Sequence, residues 1–225
     1  GNPPSPEGEG SLGMLFPTDS GPNDMESYAI NITYSEEGYI DDADAKDLDY
    51  DDLLATMQED TEAANEMRAS MGYGTVELVG WASEPYYDAA EKKLHWAKNL
   101  RFDGSSDHTL NYNIRVLGRR GYLELNAISG LNELEAVKAG IPDILPAVAF
   151  NQGHRYVDFD PQLDKVAAYG IGGLIAGKVL AKAGILAKLG LILAKFWKLI
   201  AVGVIAFFAG IRKLFGGKDE EQEVA

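Results

Sequence analysis

Residues 109–128, TLNYNIRVLGRRGYLELNAI, constrain the fold more than any other stretch of this chain. Leu110, Tyr112, Ile114 and Val116 recur at period two, and Asn111, Asn113 and Arg115 fill the alternate positions. Successive side chains of an extended chain point to opposite faces, so this is the pattern of a strand with one apolar and one polar face. Gly118-Arg119-Arg120-Gly121 is a short glycine-bounded turn, after which Leu123, Leu125 and Ala127 resume the apolar face. The segment predicts a β-hairpin and therefore an antiparallel sheet. Tyr112, Ile114, Val116, Leu123 and Leu125 should be buried, with Asn113 and Arg115 on the opposite face.

The flanking sequence fits an α+β domain, an antiparallel sheet with packed helices. Residues 1–26 are rich in Pro, Gly and Ser and read as loop. SYAINITYSEEGYI, residues 27–40, places Tyr28, Ile30, Ile32 and Tyr34 at period two and reads as a strand. Leu53, Leu54, Met57, Ala64 and Met67 then recur at helical spacing. Asp47 or Asp49 suits the N-cap and Gly72 or Gly74 the stop, which predicts a helix over about 50–70. TVELVGWA alternates, EPYYDAAEKK reads as a turn, and LHWAKNLRF alternates again. Residues 131–148 read as a helix interrupted by Pro142 and Pro146, and HRYVDFD as a last short strand. The domain so defined covers residues 27–160, followed by a helical region over 161–215 and a charged tail over 216–225.

The charge is unevenly spread. Residues 1–66 hold 18 acids and one base, Lys46, whereas residues 166–225 hold 8 bases and 4 acids. An acidic front repels phosphate backbones, so no nucleic acid is expected as a partner. The basic tail coincides with the most apolar stretch, FWKLIAVGVIAFFAGIRKLF at 196–215. Twenty helical residues span about 30 Å, one hydrocarbon thickness. Leu199 to Ile211 carries no charge, and a helix apolar all round is either deeply buried or in lipid. A membrane span, or a hairpin formed with a preceding helix over about 165–190, is the expectation, with the bilayer as partner. Gly173, Gly177, Gly184 and Ala187 belong to a small-residue stripe at three- and four-residue intervals. In lipid such a stripe lets helices approach closely, so it is a candidate contact with a second copy or a partner membrane protein.

GYIDDADAKDLDYDDLL, GWASEPYYD, LHWAKNL, LNYNIRVLGRRGYLELNAI and GHRYVDFDPQLDKVAAYGIGGLIAG resemble the bacterial domain of unknown function 2167 family, over roughly residues 1–177. The resemblance implies a domain outside the cytoplasm tethered to the inner membrane, with no established activity and no catalytic residue to carry over. In that family GNPP follows a signal peptide and further sequence, which implies that this chain starts inside its domain.

The motifs that could carry chemistry are few. Asp47, Asp49 and Asp51 have the alternate spacing of a calcium loop, but Asp52 stands where the turn needs glycine and Gln58 where a bidentate glutamate is needed. GEGSLG, residues 8–13, matches a dinucleotide fingerprint only literally, with no strand before it, and reads as loop. His95, His108 and His154 sit on separate segments, so no metal site is expected, and cysteine is absent. No cofactor is implied. The best ligand-site candidate is Asn111, Asn113, Arg115, Arg119 and Arg120 with Trp81 and Trp96 and the neighbouring Tyr86 and Tyr87. Aromatic walls with a few polar groups suit a small anion or a peptide end.

Three function classes remain. The first is a membrane-anchored extracytoplasmic interaction or ligand-binding module. The second is an envelope hydrolase using carboxylates, since acids are the abundant reactive groups. The third is a membrane-active helical tail carried by the domain. Two carboxylates converging in a pocket at perturbed pKa would separate the second from the first.

Overall fold

Residues 110–127 form the hairpin that their alternation predicts, at the centre of a six-stranded antiparallel sheet. The computed structural model describes residues 10–18, 21 and 27–177. Its strands are β1 (Ser11–Leu15), β2 (Ala29–Ser35), β3 (Tyr39–Asp41), β4 (Val76–Asp88), β5 (Lys93–Phe102), β6 (His108–Leu117), β7 (Tyr122–Gly130) and β8 (Val166–Gly170). Its helices are α1 (Tyr50–Ser70), α2 (Leu134–Ile144) and α3 (Ile171–Ala176). The large sheet has the order β1-β2-β7-β6-β5-β4, and β3 and β8 pair in parallel as a separate ribbon. This is an α+β domain.

The β6–β7 register sets Ile114 opposite Leu125, Val116 opposite Leu123 and Leu117 opposite Tyr122. The turn closes with Gly118 N donating to Gly121 O at 2.8 Å. Gly121 is required there, because a Cβ would run into the carbonyl of Ser35 on β2. On one face Tyr112, Ile114, Val116, Leu125, Ala127 and Ile30 pack beneath Val137 and Ile141 of α2. On the other, Leu94 and Trp96 pack against Leu53 and Met57 of α1, Ile40 of β3, and Ile171, Leu174 and Ile175 of α3. The sheet is therefore covered on both sides. That is why all eight residues from Leu110 to Leu117 are buried rather than every second one.

α1 has the predicted limits. The carboxylate of Asp49 accepts from the amides of Asp51 and Asp52, both at 3.0 Å, and caps the helix. Gly72, with φ +79°, ends it. β4 is the sheet edge on this side, and α1 closes it. Asn65 accepts from Val76 N and donates to Val76 O, each at 2.9 Å, and Gln58 donates to the carbonyls of Leu78 and Val79. Two side chains thus take the hydrogen-bonding places of a further strand.

Several expectations are corrected. The start of the chain is not all loop, because Ser11–Leu15, including part of GEGSLG, pairs with β2. The strand read over 27–40 is two strands in two sheets. EPYYD is not a turn but the end of β4. Pro85 sits at an irregularity between Ser83 and Tyr86 on an edge strand, where a missing N–H costs no ladder bond. HRYVDFD contains a 3-10 turn, Tyr156–Asp158, instead of a strand. The helix read over about 165–190 is broken in its described part. β8 precedes α3, and Gly177 ends α3 in the left-handed region at φ +71°. Gly173 is buried inside α3, so Gly173 and Gly177 do not share a continuous helix face. Gly184, Ala187 and the apolar stretch 196–215 lie outside the described residues. Among the described residues, no helix is long and apolar enough to cross a membrane.

Candidate functional site

β6 carries the polar residues that the sequence singles out, and the sheet register brings their partners beside them. Asn113 stands between Trp96 of β5 and Asn126 of β7, Asn111 lies beside Lys98, and Arg115 lies between Leu94 and Glu124. Three asparagine amides close a ring. Asn111 donates to Asn126 Oδ1 at 3.0 Å, Asn126 donates to Asn113 Oδ1 at 3.3 Å, and Asn113 donates to Asn111 Oδ1 at 2.9 Å. Asn111 and Asn113 are buried, so the ring is what makes their placement tolerable.

Arg115 is buried next to the ring. Its guanidinium pairs with Glu124 at 2.8 Å and lies 4.9 Å from the Trp96 ring centroid and 5.6 Å from that of Tyr122. Burial pulls its pKa down, and Glu124 and Tyr122 work against that fall. Arg115 Nε and Trp96 Nε1 are buried without a hydrogen-bond partner. The stacked aromatic faces offset part of that cost.

Lys98 is the member of this face that reaches open space. It lines a cavity of about 360 Å³ with Met57, Leu78, Leu100, Ala176 and Thr61, together with Asp60 and Arg68. Arg68 donates to Gly74 O at 2.8 Å, and Asp60 has a partner of its own. Among the described residues Lys98 makes no hydrogen bond or close ion pair. Burial lowers its pKa, the Arg115 guanidinium lowers it further, and Glu124 pulls it back up. Sequence reasoning missed Lys98, Glu124 and Asn126. The alternation of LHWAKNLRF puts Lys98 on the face of Trp96, which was the available signal. Its place beside Asn111 follows only from the β5–β6 register.

The other candidates do not join this group. Arg119 and Arg120 converge on Asp164, donating from Nε at 2.6 and 3.0 Å, and hold its carboxyl well below the usual range. They tie the hairpin turn to the segment before β8. Trp81 donates to Tyr50 O at 3.2 Å. Tyr87 donates to Asp42 at 2.6 Å and Tyr86 is exposed. Of the histidines, His95 has a pKa lowered by burial, and His108 Nδ1 meets Asn99 Oδ1 at 2.8 Å. Among the described residues no group of three His, Asp or Glu side chains could hold a metal ion.

The described carboxylates with a displaced pKa all move the same way. Burial would raise Asp42, but bonds from Lys92 and Tyr87 hold it low. Backbone amides of Glu91 and Ala90 lower Asp88, and Arg155 brings Asp158 to about 2. Each is held as an anion by partners within the fold.

A family model described as a protein of unknown function, DUF2167, matches residues 1–206. No curated protein and no solved structure matches the chain.

Proposed function

We propose a reading that starts from a family without an assigned activity: the chain belongs to the DUF2167 family of proteins of unknown function, and it acts as a membrane-anchored ligand-binding module. The observation that carries the reading is Lys98. A half-buried amine that makes no hydrogen bond or close ion pair among the described residues, in a cavity walled by Met57, Leu78, Leu100 and Ala176, suits a ligand with an anionic group and an apolar body. The anion neutralises Lys98 and the apolar body covers the walls. Behind Lys98, the asparagine ring and the Arg115–Glu124 pair hold the strand positions that aim it. Asn111, Asn113, Arg115 and Trp96 serve as the rigid back of the site rather than as its contact surface.

The anchor is the apolar stretch 196–215, supported by its length and by Lys198, Arg212 and Lys213 near its ends. In this reading the α+β domain lies on the extracytoplasmic side of the bacterial inner membrane, and a second copy or a partner membrane protein is the expected neighbour of the anchor. Hydrolysis by carboxylates is less favoured. A general acid needs a raised pKa, and the displaced carboxylates described above are all lowered.

Calorimetry on the 225-residue chain in detergent tests the reading with hexanoate and its uncharged counterpart hexanol. Hexanoate should bind and hexanol should not. A charge-assisted contact is worth about 1.5–3 kcal/mol, so Lys98→Met should weaken hexanoate binding tenfold or more. Equal binding by the wild type and Lys98→Met would remove Lys98 from the account.

A further inference from the structure

A second cavity, of about 550 Å³, opens between the segment that leads into α1 and the end of β4. Its walls include Tyr50, Pro85, Tyr86 and Tyr87, with Asp42 and Lys46 as its charged members. We propose that this groove binds a lysine or arginine side chain of an extended basic segment in a partner protein.

Two features of the groove carry the inference. The first is its aromatic wall. Tyrosine faces attract cations, and the attraction grows when the ring is electron-rich. Tyr87 is made so by its hydrogen bond to the Asp42 carboxylate at 2.6 Å, a carboxylate held ionised by Lys92 at the same distance. Burial and Asp42 keep the Tyr87 phenol neutral, with its pKa raised. Tyr86, whose ring lies 6.4 Å from that of His95, still leaves 63% of its surface open.

The second feature is charge. From Asp41 to Asp52 there are seven aspartates and one base, Lys46. In sequence, Glu84, Asp88 and Glu91 flank Tyr86 and Tyr87. A neutral ligand would use the aromatic faces but not the charge of this field. A zwitterionic lipid headgroup would bring a phosphate into it. A basic peptide segment satisfies both the rings and the field.

The test uses the tripeptide acetyl-Lys-Arg-Lys-amide and the full chain in detergent, with affinity followed by calorimetry. The tripeptide should bind. Tyr86→Ala, an exposed position where folding is not at stake, should weaken it about two- to fivefold, and Tyr86→Phe should restore it. Asp47→Asn should weaken it and flatten its salt dependence. Unchanged affinity in Tyr86→Ala would assign binding to diffuse acidity and overturn the site. Tighter capture by phosphatidylcholine vesicles than by the tripeptide, lost in Tyr86→Ala, would assign the groove to lipid and overturn the partner. Neither result bears on Lys98, because hexanoate is read separately.

Discussion

Replacing Asn113 by alanine should cost about 3 kcal/mol of stability. The side chain donates to Asn111 O at 3.1 Å and to Asn111 Oδ1 at 2.9 Å, and accepts from Asn126 at 3.3 Å. Only 3% of the residue is exposed, so water does not replace these bonds in the folded state. At about 1 kcal/mol net per bond, three lost bonds give about 3 kcal/mol, and the stranded Asn111 oxygen adds to it. The ring makes a sharper demand. Since each asparagine bonds both others, the double variants Asn111→Ala/Asn126→Ala, Asn111→Ala/Asn113→Ala and Asn113→Ala/Asn126→Ala should all be non-additive, by about 1 kcal/mol. Urea unfolding followed by tryptophan fluorescence measures this, with an unchanged slope against denaturant showing that compactness is preserved. Additivity within about 0.3 kcal/mol in all three pairs would refute the ring, as would a cost below about 1 kcal/mol for Asn113→Ala.

Three further outcomes are expected. Burial, with Lys93 nearby, lowers the pKa of His95, while Asp88 opposes the fall and Tyr86 lies across the strand pair. The unfolded chain takes up the proton first, so stability should decline as pH falls through about 6.5 and level off below the folded pKa, and His95→Gln should remove that step; a step that persists in the variant would exclude His95 as its cause. Asn65→Ala should cost about 2 kcal/mol and uncover the backbone of β4 at Val76, raising self-association in sedimentation velocity, and a variant as monodisperse as wild type would count against α1 as the cover of that edge. Gly121→Ala should cost about 3 kcal/mol, because the added methyl group meets the Ser35 carbonyl, and a loss under 1 kcal/mol by urea titration would contradict the close approach of turn and β2.

Local signals were legible in this sequence and coverage was not. The hairpin and α1 follow from alternation, helical spacing and caps, which act within a few residues. The second face of β6 was misread for a physical reason. Polar residues at alternate positions ordinarily face water, but α1, β3 and α3 cover that face, and the asparagines satisfy one another there. Arg119 and Arg120 looked like ligand residues because nothing in the sequence announces their distant partner, Asp164. EPYYDAAEKK read as a turn because a single sequence does not say which strand lies at the edge, where Pro85 is tolerated. The break at Gly177 was hidden inside an alanine- and glycine-rich run whose spacing suits a longer helix. Lys98 escaped notice because a lone lysine in a strand is ordinarily solvated, and its burial depends on the elements packed over it.

The most direct test of the account is the titration of the Lys98 amine itself. Selective ¹³C labelling of the lysine side chains, with Lys98→Met to assign the signal, follows its protonation in the full chain with and without hexanoate. Without ligand the Lys98 pKa should lie below that of an exposed lysine, because burial and Arg115 disfavour the charged form. With hexanoate bound it should rise, since a carboxylate beside the amine favours its charged form. A Lys98 signal that titrates like the exposed lysines, or that ignores saturating hexanoate, would contradict the proposed site.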